Sequence, residues 1–135
     1  MDPRSYSRYD GAANVVQSLS APAVAALFEE LKPLLQDVCQ ESGCRGAGLR
    51  QSLIQAIDEL LRTPVVQGDI RLRKKIKSYP MADSKLEKLS AVQKHLIRMG
   101  PANTAKIQGK LREIALALGV PQEQLPKAQI YRLGN

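Results

Sequence analysis

The spacing of apolar residues predicts helices along most of the chain. The longest pattern begins near Ser20, which is suited to cap a first helical turn, and its apolar residues recur at steps of three and four. Pro33 lies within this pattern and removes one backbone donor, so we expect a kink or two abutting helices there. The apolar face consists of Val24, Leu27, Phe28, Leu31, Leu34, Leu35 and Val38.

Three further segments show helical periodicity with clear end signals. A helix is predicted from about Leu49 to Arg62, because the residue before Pro64 is pushed away from helical geometry. Ser84-Lys85-Leu86-Glu87 fits a capping box and predicts the start of a helix that runs to Met99. The last long helix is predicted from about Asn103 or Thr104 to Leu118.

The segment from Asp69 to Tyr79 has two possible interpretations. Asp69 could cap a helix whose inner face carries Leu72, Ile76 and Tyr79, and this is our prediction. The alternation of Ile70-Arg71-Leu72-Arg73 is also typical of a strand, so that interpretation stays open. Pro80 ends the element in both cases.

The predicted fold class is all-α. No segment combines strand alternation with the paired turn signals of a sheet, and no internal repeat is present. We expect one domain, residues 12–135, that forms a single compact helical bundle of five to seven helices. Residues 1–11 lack an apolar stripe and are predicted to form a short disordered, flexible arm.

The net charge of +7 is concentrated in one half of this domain. Residues 1–62, which include the leucine-rich, neutral or acidic half 12–62, carry six Lys/Arg and eight Asp/Glu. Residues 63–135, the basic half, carry fourteen and five. A concentrated positive surface favours polyanions, nucleic acid first, then an acidic protein surface or an anionic membrane. The alternative is a solvated face without a ligand.

The leading hypothesis is a non-enzymatic protein that binds DNA or RNA, alone or as a subunit of a nucleoprotein assembly. Contacts would be made mainly to backbone phosphates, and counterion release would supply the affinity. The predicted nucleic-acid-binding residues are Arg71, Arg73, Lys74, Lys75, Lys77, Lys85, Lys88, Lys94, Arg98, Lys106 and Lys110.

The alternative hypothesis is a protein–protein adaptor or structural subunit that docks a partner, or a second copy, through its N-terminal helices. The exposure of these leucines decides whether they are core or interface, because a buried face is core and an exposed apolar patch is an interface. The candidate partner-binding residues are Leu27, Phe28, Leu31, Leu34 and Leu35.

Signatures of catalysis, cofactors and metals are absent from the sequence. There is no phosphate-binding loop, nucleophile elbow or HExxH pair, and the single histidine, His95, has no evident partner. Cys39 and Cys44 lack a second pair for zinc, and we expect free thiols in a reducing compartment, with a Cys39–Cys44 disulfide as the alternative. No apolar stretch of about 20 residues predicts a membrane span, and no signal peptide is seen. The predicted location is therefore cytoplasmic, nucleoid or nuclear, and not secreted.

The segment from Leu111 to Leu125 resembles a helix-turn-helix. Ala115 stands four residues before Gly119, as in the tight helix crossing of that motif, and the apolar residues around them fall at inward positions. The resemblance implies that the segment after Val120 would lie in the major groove of DNA. It would place three residues near base edges or phosphate: Gln122, Gln124 and Lys127.

Overall fold

The computed structural model describes residues 1–41, 48–75 and 77–133. The described residues are mostly helical, with two short strands, so the all-α class is confirmed in its coarse form. A 3-10 helix, Pro3–Tyr9, comes first, and a second one, Gln122–Gln124, follows the last α-helix. The α-helices are α1 (Asp10–Ser18), α2 (Ala21–Glu41), α3 (Gly48–Leu61), α4 (Ser84–Glu87), α5 (Ala91–Arg98) and α6 (Pro101–Ala117), and the strands are β1 (Val65–Gln67) and β2 (Ile130–Arg132).

The three long helices form where the apolar periodicity predicts them. Helix α2 accommodates Pro33 within its 21 residues, and the hydroxyl of Ser20 accepts a hydrogen bond from the amide of Ala23 at 3.3 Å. Helix α6 begins at Pro101, slightly before the predicted start. Proline suits that position because the first turn of a helix leaves its amide groups without intrahelical partners.

The helix predicted from Ser84 to Met99 is divided into α4 and α5. The N-cap of α4 is Asp83, whose carboxylate accepts from the amides of Lys85 and Leu86 at 2.8 and 3.1 Å, so the capping box predicted at Ser84 is wrong. A capping box does form further along, between Ser90 and Gln93. It satisfies the first amides of a new helix and thereby stabilises the break between α4 and α5.

The basic segment is a β-hairpin, so the predicted helix from Asp69 to Tyr79 is wrong. The amide of Arg73 donates to the carbonyl of Pro80 at 2.7 Å, and that of Ala82 donates to Arg71 at 2.8 Å. Leu72 pairs with Met81 in an antiparallel bridge, and these two side chains face the core. The period-two alternation is therefore the correct signal. Ile76, which we placed on a helical face, lies outside the described residues.

Two short strands form a parallel sheet, which the sequence analysis did not predict. Val65 is in register with Ile130, Val66 with Tyr131 and Gln67 with Arg132. Each strand has three residues, too few to show an alternating pattern. Since the strands come from distant parts of the chain, their pairing is set by tertiary structure.

The N-terminal segment packs against the fold, so the prediction of a flexible arm over residues 1–11 is wrong. The ring of Tyr6 lies directly against Gly100, where an added Cβ would be only 2.6 Å from it. The side-chain amide of Asn103 donates to the carbonyl of Tyr6 at 3.2 Å and to the carboxylate of Asp10 at 2.9 Å. These anchors are tertiary contacts, and a local periodicity cannot reveal them.

Most of the buried apolar residues in the described ranges lie in two clusters. The first lies between α2, α3 and α6, with Leu61 fully buried at its centre and Phe28 packed at its edge. The second lies beneath the hairpin and the sheet, around Ile70, Met81 and Leu86. Gln108 joins α6 to the end of α3, because its amide donates to the carbonyls of Leu60 and Thr63 at 3.0 and 2.7 Å. This contact holds α6 against the C-terminal end of α3.

Cys39 is buried in α2 and is disulfide-bonded. The expectation of a free thiol is therefore wrong at this position, and Cys44 lies outside the described residues. Disulfides are typical of oxidising compartments, so the cysteines do not support the reducing compartment that we expected.

None of the described helices is, by itself, both long and apolar enough to cross a bilayer. A bent pair, Pro3–Ser18 with Ala21–Glu41, meets the length and composition criteria together, with an angle of 77° between its two parts.

Candidate functional site

Helix α2 presents a continuous apolar face to solvent. We define the leucine face as five large apolar side chains that share one side of α2. All five are well exposed: Leu27 (54%), Leu31 (41%), Leu34 (63%), Leu35 (37%) and Val38 (52%). Monomeric soluble proteins seldom expose contiguous apolar patches without a function, because such patches are sites of binding or aggregation.

A different side of α2 packs against the protein. Ala21, Ala25 and Cys39 are buried, and Phe28 packs against the first core cluster. Since successive residues are about 100° apart around a helix, the leucine face is turned about a quarter of a circle from this buried side. Four of the five predicted partner-binding residues are therefore exposed, while Phe28 belongs to the core. Val38 extends the face beyond the predicted set.

Three carboxylates border the leucine face on the side away from the core. We call Glu30, Asp37 and Glu41 the acidic ridge, because the helical repeat places them on one strip of α2. All three are exposed, and none forms an ion pair with another residue of the described ranges. The sequence analysis did not identify this ridge as functional, although the spacing of seven and four residues was visible.

The second candidate surface is the β-hairpin, which carries five predicted nucleic-acid-binding residues. Leu72 points to the core, so the alternation of the strand turns Arg71 and Arg73 outward. All five side chains are exposed, and within the described part of the chain none makes an ion pair: Arg71, Arg73, Lys74, Lys75 and Lys77.

The other six predicted cations differ in whether they are free to bind a ligand. Arg98 contacts the hairpin, because its guanidinium donates to the carbonyl of Tyr79 at 3.0 Å. Lys85 and Lys88 are exposed around α4. The remaining three are held by internal contacts: Lys94 pairs with Glu87 at 3.0 Å, Lys110 pairs with Glu113 at 2.6 Å, and Lys106 bonds Asn14 at 2.9 Å.

A cavity of about 650 Å³ lies beside the base of the hairpin. Tyr79, Arg98, Arg8 and Lys94 line it, together with Glu87. Glu87 and Lys94 neutralise each other there, and His95 is exposed on α5. Across the ranges 1–41, 48–75 and 77–133, no group of three His, Cys, Asp or Glu side chains is placed to hold a metal ion.

Glu87 fastens the hairpin to α5. One carboxylate oxygen accepts from the amide of Met81 at 2.7 Å and the other from the ammonium of Lys94 at 3.0 Å. The hydrogen bond from Met81 and then that from Lys94 lower the pKa of Glu87 below its ordinary value of 4.5. Both contacts favour the charged form of the carboxyl group.

Replacing Glu87 with glutamine is therefore expected to destabilise the fold in a pH-dependent way. Because its folded pKa is lowered, Glu87 contributes stability above pH 4.5 and loses that contribution as the pH falls through the lowered value. In urea denaturation, the difference in stability between wild type and Glu87→Gln should be largest at neutral pH and should shrink as the pH falls below 4.5. A matched exposed change, Glu123→Gln, should have little effect. If the difference in stability between wild type and Glu87→Gln did not vary with pH, the charged form of Glu87 would not be the source of the stabilisation.

The segment that resembles a helix-turn-helix contains no recognition helix. Helix α6 ends at Ala117, and the chain then forms only a three-residue 3-10 turn, Gln122–Gln124. Val120 and Leu125 are buried in the first core cluster, as the inward positions of the motif require. The recognition helix that the resemblance implies does not form here, because Pro126 prevents the turn from continuing into a longer helix.

A protein-family match covers most of the chain. Residues 1–115 match the family described as "Protein of unknown function (DUF3014)". No curated protein and no solved structure matches the chain significantly. The description names no activity, ligand or partner, so function has to be inferred from the two surfaces described above.

Proposed function

Because the chain belongs to the DUF3014 family, whose description assigns no activity, we propose a function from its own surfaces. It is a non-enzymatic docking subunit that binds a protein partner through the leucine face of α2. The remaining helices act as a compact bundle that holds α2 in place. The observation that carries this proposal is the exposure of five large apolar side chains on one face of a well-packed helix.

The spacing of the leucine face matches the requirement for helix–helix packing. Leu27, Leu31, Leu34 and Val38 follow one another at steps of four, three and four residues. This is the repeat by which side chains of one helix fit between those of a facing helix. The partner is therefore a helix that lays its apolar side on α2, a recurrent form of peptide recognition.

The packing of α2 makes this surface pre-organised. Phe28 and Ala25 anchor the helix to the first core cluster while the leucine face stays free. Association therefore does not have to pay the entropy of forming the helix. Burying a leucine side chain contributes about 1.5–3 kcal/mol, so several leucines can support a specific complex.

A peptide titration tests the proposal. The probe is a three-heptad helical peptide with leucine at its apolar positions and glutamine on both flanks, used at concentrations where the free peptide is monomeric. Wild type should bind it, and Leu31→Gln/Leu34→Gln should lose binding. Val92→Gln, which changes an equally exposed apolar residue on α5, should bind like wild type. Absence of binding by wild type would overturn the proposal.

A second candidate function is nucleic-acid binding through the hairpin. Its support is the group of five exposed cations that no described acidic residue neutralises. Along a strand, alternate residues such as Arg71 and Arg73 are about 6.6 Å apart on the same face, a spacing suited to successive phosphates. Both DNA and RNA offer such a backbone.

For this candidate, removing three hairpin cations should weaken binding and reduce its dependence on salt. The variant is Arg73→Gln/Lys74→Gln/Lys75→Gln. If each residue contacts one phosphate of duplex DNA, the slope of log affinity against log salt should fall by about 0.9 per residue. Fluorescence polarisation with labelled duplex DNA and single-stranded RNA measures this effect.

The control removes the same charge from other surfaces and consists of Arg62→Gln/Lys127→Gln/Arg132→Gln. It should keep the affinity and salt slope of the wild type. Equal losses in both variants would show a diffuse charge effect, and no binding by wild type at low salt would exclude the candidate for this chain.

A further inference from the structure

We propose that the partner of the leucine face is an amphipathic helix whose apolar stripe is bordered by lysine or arginine. This inference rests on the proposed docking function and adds the chemistry of the partner. It is carried by the acidic ridge, which runs beside the leucine face and has no described ion-pair partner.

The ridge and the leucine face have the same direction and similar length. Glu30 adjoins Leu27 and Leu34 on the helical surface, and Asp37 and Glu41 continue the strip toward the C-terminus of α2. A helix seated on the leucines would thus bring one flank over the three carboxylates. Cationic residues on that flank would complement them, whereas acidic residues would be repelled.

Only one flank of such a partner is selected by charge. On the other side of the leucine face, α2 turns toward the body of the domain, where Phe28 packs on the core and Lys32 lies 3.9 Å from Glu29. This side therefore offers no row of free charges. The ridge should fix the orientation of the partner and its selectivity, since exposed ion pairs add little affinity individually.

The same ridge argues against a second copy of this chain as the occupant. Helix α2 carries four acidic residues and one lysine, a net charge of −3. If two α2 helices paired antiparallel through their leucine faces, the two ridges would lie side by side and repel each other. A cation-bordered helix removes this repulsion and buries the same leucines.

Three peptides with one apolar stripe and different flanks test the inference. The flanks carry lysine, glutamine or glutamate, and affinity is measured by calorimetry at low and high salt. Wild type should bind the lysine peptide at least about tenfold more tightly than the glutamate peptide, and the ratio should shrink at high salt. Glu30→Lys/Asp37→Lys should reverse the order. Glu59→Lys/Glu123→Lys, with the same change in net charge, should keep it.

The outcomes separate this inference from the docking function beneath it. If wild type binds all three peptides with equal affinity and Leu31→Gln/Leu34→Gln binds none of them, the inference of a cationic partner is wrong. The docking function is then still supported. Sedimentation velocity shows whether wild type forms a dimer. A dimer that the same variant abolishes would mean that a second copy occupies the leucine face, and it would overturn the inference. Failure of every peptide to bind would overturn both proposals.

Discussion

Replacing Gly100 with alanine is expected to destabilise the fold by about 3 kcal/mol or more. Gly100 has a φ of +95°, a backbone conformation that costs any other residue about 1–3 kcal/mol. Its missing side chain also makes room for Tyr6, because an added Cβ would lie 2.6 to 2.9 Å from three atoms of that residue. Moving Tyr6 would disturb the N-terminal segment and would add the cost of overpacking.

Gly109 supplies the matched control for Gly100. It lies in the middle of α6, and nothing stands within 4 Å of an added Cβ. Gly109→Ala should therefore stabilise the fold by about 1 kcal/mol, the difference in helix propensity between the two residues. Urea denaturation of both variants measures the contrast. If Gly100→Ala were as stable as wild type, Tyr6 would not be locked against α6 and the N-terminal segment would not belong to the fold.

The second large effect concerns the leucine face itself. Leu31→Gln/Leu34→Gln should weaken binding of the glutamine-flanked peptide by about 100-fold or more. Burial of each leucine contributes about 1.5–3 kcal/mol to the binding free energy, and the variant lacks both contributions. The stability of the free chain should change by no more than about 0.5 kcal/mol, since both side chains are exposed before the partner binds.

Two comparisons show whether this separation of binding from stability is real. Val92→Gln should alter neither property, because Val92 is exposed on α5 and outside the leucine face. Leu61→Ala, in the first core cluster, should cost about 2–5 kcal/mol of stability. A loss of stability in Leu31→Gln/Leu34→Gln similar to that of Leu61→Ala would mean that the leucine face is core.

Helices whose apolar residues repeat over many turns were predictable from the sequence. Helices α2, α3 and α6 formed near their predicted bounds because periodicity, caps and prolines agree there. The hairpin was not predictable in this way, because the short run from Ile70 to Arg73 satisfies a helical and a strand pattern equally. Only the pairing of Leu72 with Met81 decides between the two patterns. The place of the N-terminal segment also depends on distant residues.

The candidate surfaces were predictable in composition but not in arrangement. Leu27 and Phe28 are neighbours in one apolar pattern, yet the first is exposed and the second packs on the core, since about 100° of rotation separates them. Similarly, the charge of the basic half predicted the cations of the hairpin. It could not show that Lys94 and Lys110 are neutralised by acidic residues close to them in the fold.

Calorimetric titration of wild type with the glutamine-flanked peptide at several temperatures tests the docking function most directly. Burial of the leucine face should give a clearly negative change in heat capacity on binding, the thermodynamic mark of apolar burial. That signal should disappear in Leu31→Gln/Leu34→Gln and persist in Val92→Gln. Absence of binding would contradict the assignment of α2 as the docking surface. Binding that shows no change in heat capacity and is retained by both variants would contradict it as well.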